Sequence, residues 1–449
     1  MRAGAELAVD GESEDVAVEG AGAFEVGGPQ EQAAGEDVHG CVFAHSRGGY
    51  ARGGGREGAL RCGGTVPEAG RQGRACGWCG WRGLGACVAY ERVAGAMFGS
   101  AYGDAMGAPT EFLPYAQIVR RFDVPDDAPG AGELPVHGGV AMVTDDTQMA
   151  LAVADALLAA VEDGHALSAE RLTPRLRGRY LAWWQSPDNN RAPGTTCMQA
   201  CKALARGGAW EAATRRGSKG CGANMRVAPV ALLDGVSEAD RCGAAQLQSA
   251  LTHGHPTALA ASDLTAAAVH ALRVGVAPRD LPGYLRAHVG QQRSVYRGDW
   301  LGDELWRGPF ASSPEEFIAR GWDECAGVLD RLDAALLLGD RRADPCRITG
   351  AGWIAEEALA TGLLCFLLFP DAPVDALTRA AMTSGDSDSI AALAGAFAGA
   401  AYGMAAWPEA WAGVVEYREE LERVSAGLAA GTAGSGTGTG TGVAGGAGR

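Results

Sequence analysis

From about residue 89 to 425 the apolar positions follow helical spacing, and runs that alternate as a strand would are few. "TDDTQMALAVADALLAAVEDG" predicts a helix with Thr144 as N-cap, Asp145 and Asp146 in its first turn, and Gly164 as its stop. "SPEEFIARGWDECAGVLDRLDAALLLG" predicts another, opened by Ser313 with Pro314 and Glu316 in capping positions. "WIAEEALATGLLCFLLF" is apolar nearly all round, which marks a buried central helix too short and interrupted to cross a bilayer. Together these segments predict a compact, single-domain, many-helix all-α fold over 89–425. The pattern fails at both ends. Residues 1–88 pass from an acidic stretch (Glu6, Asp10, Glu12, Glu14) to a Gly/Arg-rich one (Arg47, Arg52, Arg56, Arg61), so a disordered low-complexity extension is expected. A flexible Gly/Thr-rich tail is expected over 426–449.

Composition narrows the function classes. The formal charge of −16 over 449 residues argues against a nucleic-acid partner, which a basic stripe would announce. No apolar run reaches the roughly 18 residues of a membrane span, and Met1–Asp15 is acidic without the apolar stretch of a signal peptide. A cytoplasmic protein without a membrane partner is expected, with its 12 scattered cysteines as free thiols. "CGWC" at Cys76–Cys79 has neither a βαβ context nor regular spacing, so a redox or zinc role is not expected there.

Two glycine ladders interrupt the helical pattern: Gly95, Gly99, Gly103 and Gly107, then Gly395, Gly399 and Gly403. Glycine inside a helix costs about 1 kcal/mol relative to alanine, so a ladder needs a reason. A face without side chains lets two backbones approach closely, and both ladders adjoin acidic residues. The two helices are therefore expected to cross at the centre of the domain and to carry its site.

Three segments place oxygen-bearing side chains in a turn at a helix end. They are Thr144, Asp145 and Asp146; Asp386, Asp388 and Ser389; and Glu111 in "GDAMGAPTEF". Any single one reads as a helix cap. Three clusters converging in a buried centre would repel one another unless cations neutralised them. The donors are all oxygen, which suits hard Mg²⁺ or Mn²⁺ better than zinc, and five carboxylates suit two ions better than one.

"GSAYGDAMGAPTEF", "VTDDTQMAL", "SKGCGANMRVAPVAL", "LTHGHP", "GWIAEEAL" and "SGDSDSIAALAGAFAGA", in this order, resemble the ADP-ribosylglycohydrolase family of the DraG and ADP-ribosylarginine hydrolase kind. The resemblance covers about residues 90 to 420 and implies an all-α fold with a binuclear Mg²⁺ or Mn²⁺ centre. It implies a hydrolase that removes ADP-ribose from a modified protein at C1″ of the distal ribose, with arginine as the expected linkage. The metal ligands it implies are Glu111, Thr144, Asp145, Asp146, Asp386, Asp388 and Ser389, where Ser389 stands for the threonine of many relatives. Glu111, Asp145, Asp146 and Asp388 are the catalytic candidates, for proton transfer and charge stabilisation.

The Gly-rich turn "GSKGCGANMR" lacks a Walker pattern, and Gly217, Ser218, Gly220, Cys221 and Gly222 are implied contacts of the ADP portion. His253 is expected in the cleft, Asn190 close to it, and His255 as a helix-start residue. Ala192 and Pro193 occupy places where some relatives carry an acid/base aspartate, a departure that touches the linkage. The expected partners are an ADP-ribosylated protein and ADP-ribose, bound by a monomer. Two alternatives remain: a non-catalytic ADP-ribose-binding or crystallin-like structural member of the same fold, and a hydrolase of O-linked (serine) ADP-ribose.

Overall fold

Two helices whose facing sides are nearly bare of side chains, Leu84–Gly107 and Ser387–Tyr402, cross in van der Waals contact. A computed structural model describes residues 84–122, 132–308 and 311–431. The expectations for the two ends fall largely outside them. Among the described residues there are sixteen α-helices and one hairpin of two-residue strands, Val136–His137 with Val140–Ala141. The all-α expectation holds, and no described helix is long and apolar enough to cross a membrane.

The ladders explain the crossing. A Cβ on Gly99 would fall on the Gly395 carbonyl, and one on Gly399 would fall on that of Gly95. Further along, Gly103 meets Ala391 and Gly107 meets Ser387, so the helices run antiparallel. Trp407 donates its indole N–H to the Gly95 carbonyl at 2.9 Å, closing one end of the seam.

The caps follow the sequence with small shifts. Ser313 accepts from the Glu316 N–H at 3.1 Å, and helix Pro314–Leu338 ends on Gly339 at φ 61°. His255 starts helix Pro256–Arg273 by accepting from the Thr257 N–H at 3.2 Å. Gly164 is not the stop of its helix. That helix closes at Ala160, and Gly164, at φ 74°, ends the 3-10 turn that follows. The predicted central helix, Ala355–Leu368, is buried along almost all its length. The helical body also continues past residue 425, because Leu421, Val424 and Leu428 bury one face of helix Arg418–Ala430.

Candidate metal centre

The antiparallel crossing decides which parts of the chain meet. Because Gly107 lies against Ser387, the turn after Gly107 delivers Glu111 to Asp386 and Asp388. Oxygens of these three carboxyls lie within 4.8 Å of one another. Ser387 Oγ donates to the Gly107 carbonyl at 2.9 Å and so pins the two helix ends together. Glu111 sits in the turn beyond the first ladder helix's C-terminus, where the helix dipole gives an anion no support.

Asp145 and Asp146 arrive on helix Asp145–Ala160. Its N-cap Thr144 accepts from the Asp146 N–H at 3.3 Å, an ordinary cap. Asp386 occupies the same position on Ser387–Tyr402 but makes no capping bond. Its carboxyl meets the side chains of Asp388 and Ser389 in the first turn instead. Glu111, Asp145, Asp146, Asp386, Asp388 and Ser389 all line one cleft of about 450 Å³.

No lysine or arginine lines that cleft, and the electrostatics show it. Burial, reinforced by Asp388, Asp145 and Asp104, pushes Glu111 up to about 9. Burial pushes Asp145 up to about 8, with Asp388 and Asp104 adding to it and the Gly194 N–H opposing. Asp146 and Asp386 rise well above the usual carboxylate range through burial and the Asp388 charge. Asp146 Oδ1 is buried without any hydrogen-bond partner. Such a cluster carries protons or cations at neutral pH, and its oxygen-only donors fit a hard divalent ion.

Asp104 was not singled out from the sequence, yet it organises the site. It is fully buried one turn before the end of the first ladder helix. Its carboxylate accepts from the Thr144 N–H at 2.9 Å, the Thr147 N–H at 3.0 Å and the Thr147 hydroxyl at 2.6 Å. Burial and Asp388 raise it to about 7 against those donors. The available signal was a lone carboxylate inside a Gly/Ala-rich helix. Arg226 is the second omission. It is wholly buried over the Tyr180 ring and donates to the Gln248 carbonyl and the Thr252 hydroxyl, both at 2.8 Å. Thr252 Oγ1 in turn lies 2.8 Å from His253 Nδ1. Burial and the Arg226 charge bring His253 down to about 3, so a neutral imidazole faces the cleft.

The substrate-side residues divide. Gly220, Cys221 and Gly222 line the cleft, where a Cβ on Gly222 would press on Cys197 and His253. The Cys221 N–H donates to the Trp353 carbonyl at 3.0 Å, so that amide is not free for a phosphate. Gly217 is exposed, and Ser218 stands behind Thr196, 2.9 Å from its hydroxyl. Asn190 does not reach the cleft; it is exposed and donates to the Pro187 carbonyl at 3.3 Å. The cause is its neighbour Arg191, tied to the Val143 carbonyl at 2.9 Å and to Glu416. That anchor draws Ala192, Pro193 and Gly194 over Asp145 and leaves Asn190 outside.

Fold and site together define a class: an all-α protein with a carboxylate-floored cleft at a helix crossing. The chain belongs to the ADP-ribosylglycohydrolase family, whose sequence model matches residues 88–438. It is 31% identical over 183 residues to the ADP-ribosyl-(dinitrogen reductase) glycohydrolase of Rhodospirillum rubrum, covering 41% of this chain and 58% of that protein's length. It is 26% identical to the ADP-ribosylarginine hydrolase Tri1 of Pseudomonas putida, covering 76% of this chain and 78% of the relative. It is 28% identical to the ADP-ribosylhydrolase ARH3 of Bos taurus, covering 78% and 95%. Among solved structures an ADP-ribosylglycohydrolase-related protein complex shares the fold, with a TM-score of 0.51 at 24% identity over 76% of this chain and 98% of its own.

Proposed function

We propose that the protein is a metal-dependent hydrolase that removes ADP-ribose from mono-ADP-ribosylated protein, arginine-linked by preference, by cleaving the bond at C1″ of the distal ribose. One observation carries the reading: five carboxylates line a cleft that contains no cationic side chain. Two Mg²⁺ or Mn²⁺ ions fit this donor set, held by Glu111, Thr144, Asp145, Asp146, Asp386, Asp388 and Ser389, and the unpartnered Asp146 Oδ1 supports the assignment. When bound, such ions hold vicinal sugar hydroxyls and lower the pKa of a water towards about 7.

The chain's own residues do the rest. Asp145, Asp146 and Asp388 supply fixed negative charge where C1″ gains oxocarbenium character. Glu111, less buried than the aspartates, moves the proton. Its carboxyl protonates the leaving nitrogen as the C1″–N bond breaks, and regains a proton from the water that adds to C1″. Gly220, Cys221, Gly222 and the neutral His253 wall the side of the cleft that takes the ADP portion. The product is ADP-ribose, and the partner is the modified protein.

The name of one relative, an ADP-ribosylarginine hydrolase, supports the arginine reading. Ala192 and Pro193 stand where some relatives carry an acidic residue, a departure that touches the linkage and keeps an O-linked serine bond as the second reading. Incubation with arginine-modified and serine-modified protein, each with Mg²⁺ or EDTA, tests the proposal. Release of ADP-ribose from arginine in Mg²⁺ alone is expected. Equal release in EDTA, or none from either substrate, sinks it.

A further inference from the structure

Three aromatic side chains stand among the exposed large apolar residues of the described chain: Phe112, Trp353 and Tyr402. Tyr402 is accounted for by its hydroxyl, which donates to the Pro370 carbonyl. Phe112, 67% exposed, and Trp353, 42% exposed, are not, and they lie on each other at the rim of the carboxylate cleft. Their ring centroids are 5.2 Å apart and their planes 22° from parallel. Burying neither ring costs the protein apolar stabilisation it has used for most of its other aromatics.

The backbone holds this pair in place at some expense. Phe112 has φ 63°, a left-handed conformation that costs a residue with a Cβ about 1–2 kcal/mol. The strain turns its ring to the rim while its neighbour Glu111 turns to Asp386 and Asp388. Trp353 is fixed from the other side. Its carbonyl accepts from Cys221 at 3.0 Å, and two residues earlier the Ala351 carbonyl accepts from the Asp386 N–H at 2.8 Å. Both rings therefore stand in set register with the carboxylates, one through Glu111 and one through Asp386.

Trp353 covers one face of the Phe112 ring and solvent meets the other. A planar cation stacks well on such a face. We infer that Phe112, backed by Trp353, is the acceptor-side recognition element of the enzyme and stacks on the guanidinium of the modified arginine. The inference rests on the arginine-linked reading above, and it assigns selectivity for that acceptor to a ring pair separate from the groups that hold ADP-ribose.

The test is steady-state hydrolysis of an ADP-ribosylarginine protein by the full chain, alongside the dissociation constant of free ADP-ribose, which has no acceptor. Phe112→Leu keeps an apolar side chain on the same backbone and removes only the π face. It should raise KM about tenfold while kcat stays within about twofold. Phe112→Tyr should restore KM, and ADP-ribose affinity should be unmoved in both. An unchanged KM in Phe112→Leu overturns the inference, and so does ADP-ribose affinity that weakens in step with KM. A wild type inert on the arginine substrate overturns the arginine reading and this inference together. An active wild type with an indifferent Phe112→Leu overturns this inference alone.

Discussion

Two polar triads in this molecule look alike on paper. Glu111, Asp386 and Asp388 bring ligand-type atoms within 4.8 Å of one another, and so do Cys242, Asp263 and His288. Their surroundings differ in kind. Burial alone would raise the Asp263 carboxyl, but His288 Nε2 at 3.0 Å, Gln246 Nε2 at 2.8 Å and the Cys242 thiol outweigh it and hold the group below the usual carboxylate range. Asp386 receives no capping bond, and burial and the Asp388 charge both push it up. One triad is a hydrogen-bond hub that ties helices Glu238–Ala250, Pro256–Arg273 and Leu281–Gln292 together; the other is a set of carboxyls that face a cleft lined by no lysine or arginine. Closeness of ligand atoms does not make a binding site. Unsatisfied charge with access to a ligand does.

That contrast can be broken most directly by paired substitutions. Asp386→Asn should abolish hydrolysis, and in EDTA it should raise the melting temperature because it removes a repelling charge. The rise in melting temperature on adding Mg²⁺ should shrink in that variant. Asp263→Ala should do the reverse. It strands a buried histidine and should cost about 3–5 kcal/mol in denaturant unfolding, with the Mg²⁺ response intact. If the two variants behaved alike, the distinction between hub and ligand site would be lost.

Asp104 sharpens the comparison, since it is a satisfied carboxylate inside the unsatisfied region. Asp104→Asn sets an amide against the Thr144 and Thr147 donors and loosens the turn that presents Asp145 and Asp146. Melting temperatures followed against Mg²⁺ concentration should show apparent affinity about 10–100-fold weaker. Wild-type affinity would reduce Asp104 to a packing residue.

The smallest effect expected is in the pH dependence of stability. Glu111 and Asp145 are raised to about 9 and about 8, so the metal-free folded state binds more protons than the unfolded chain. Their contribution is complete below the unfolded values near about 4 and is lost as pH rises through about 8–9. In EDTA the melting temperature should decline across that range, and Mg²⁺ should restore it at the alkaline end. Asp263 has the opposite sign: its contribution is present at neutral pH and disappears only as acid protonates it. A melting temperature flat from pH 5 to 9 in EDTA would remove the electrostatic part of the contrast.

Several features were legible before any coordinates. Helix caps at Thr144, Ser313 and His255 depend on residues two or three positions away, and all three form. The ladders pointed to a close crossing because glycine inside a helix is costly and repetition every fourth residue marks one face. Others were hidden. Asp104 looks in the sequence like any polar residue on a helix; its partners lie about forty positions away. Asn190 sits in a polar loop beside the cleft, but Arg191 decides which side of that loop faces inward.

The sequence by itself therefore determined the all-α architecture, the two bare helix faces and the identity of five carboxylates, because each follows from local spacing, capping chemistry or side-chain type. Only the tertiary structure decided that Gly107 lies on Ser387, which brings Glu111 to Asp386, and that Asp104 holds the Thr144 turn against them. It also decided that Phe112 meets Trp353, two residues about 240 positions apart in the chain. These contacts depend on the direction in which two helices cross. The glycine spacing fits a parallel or an antiparallel crossing equally well, and the packing of the remaining helices makes the choice.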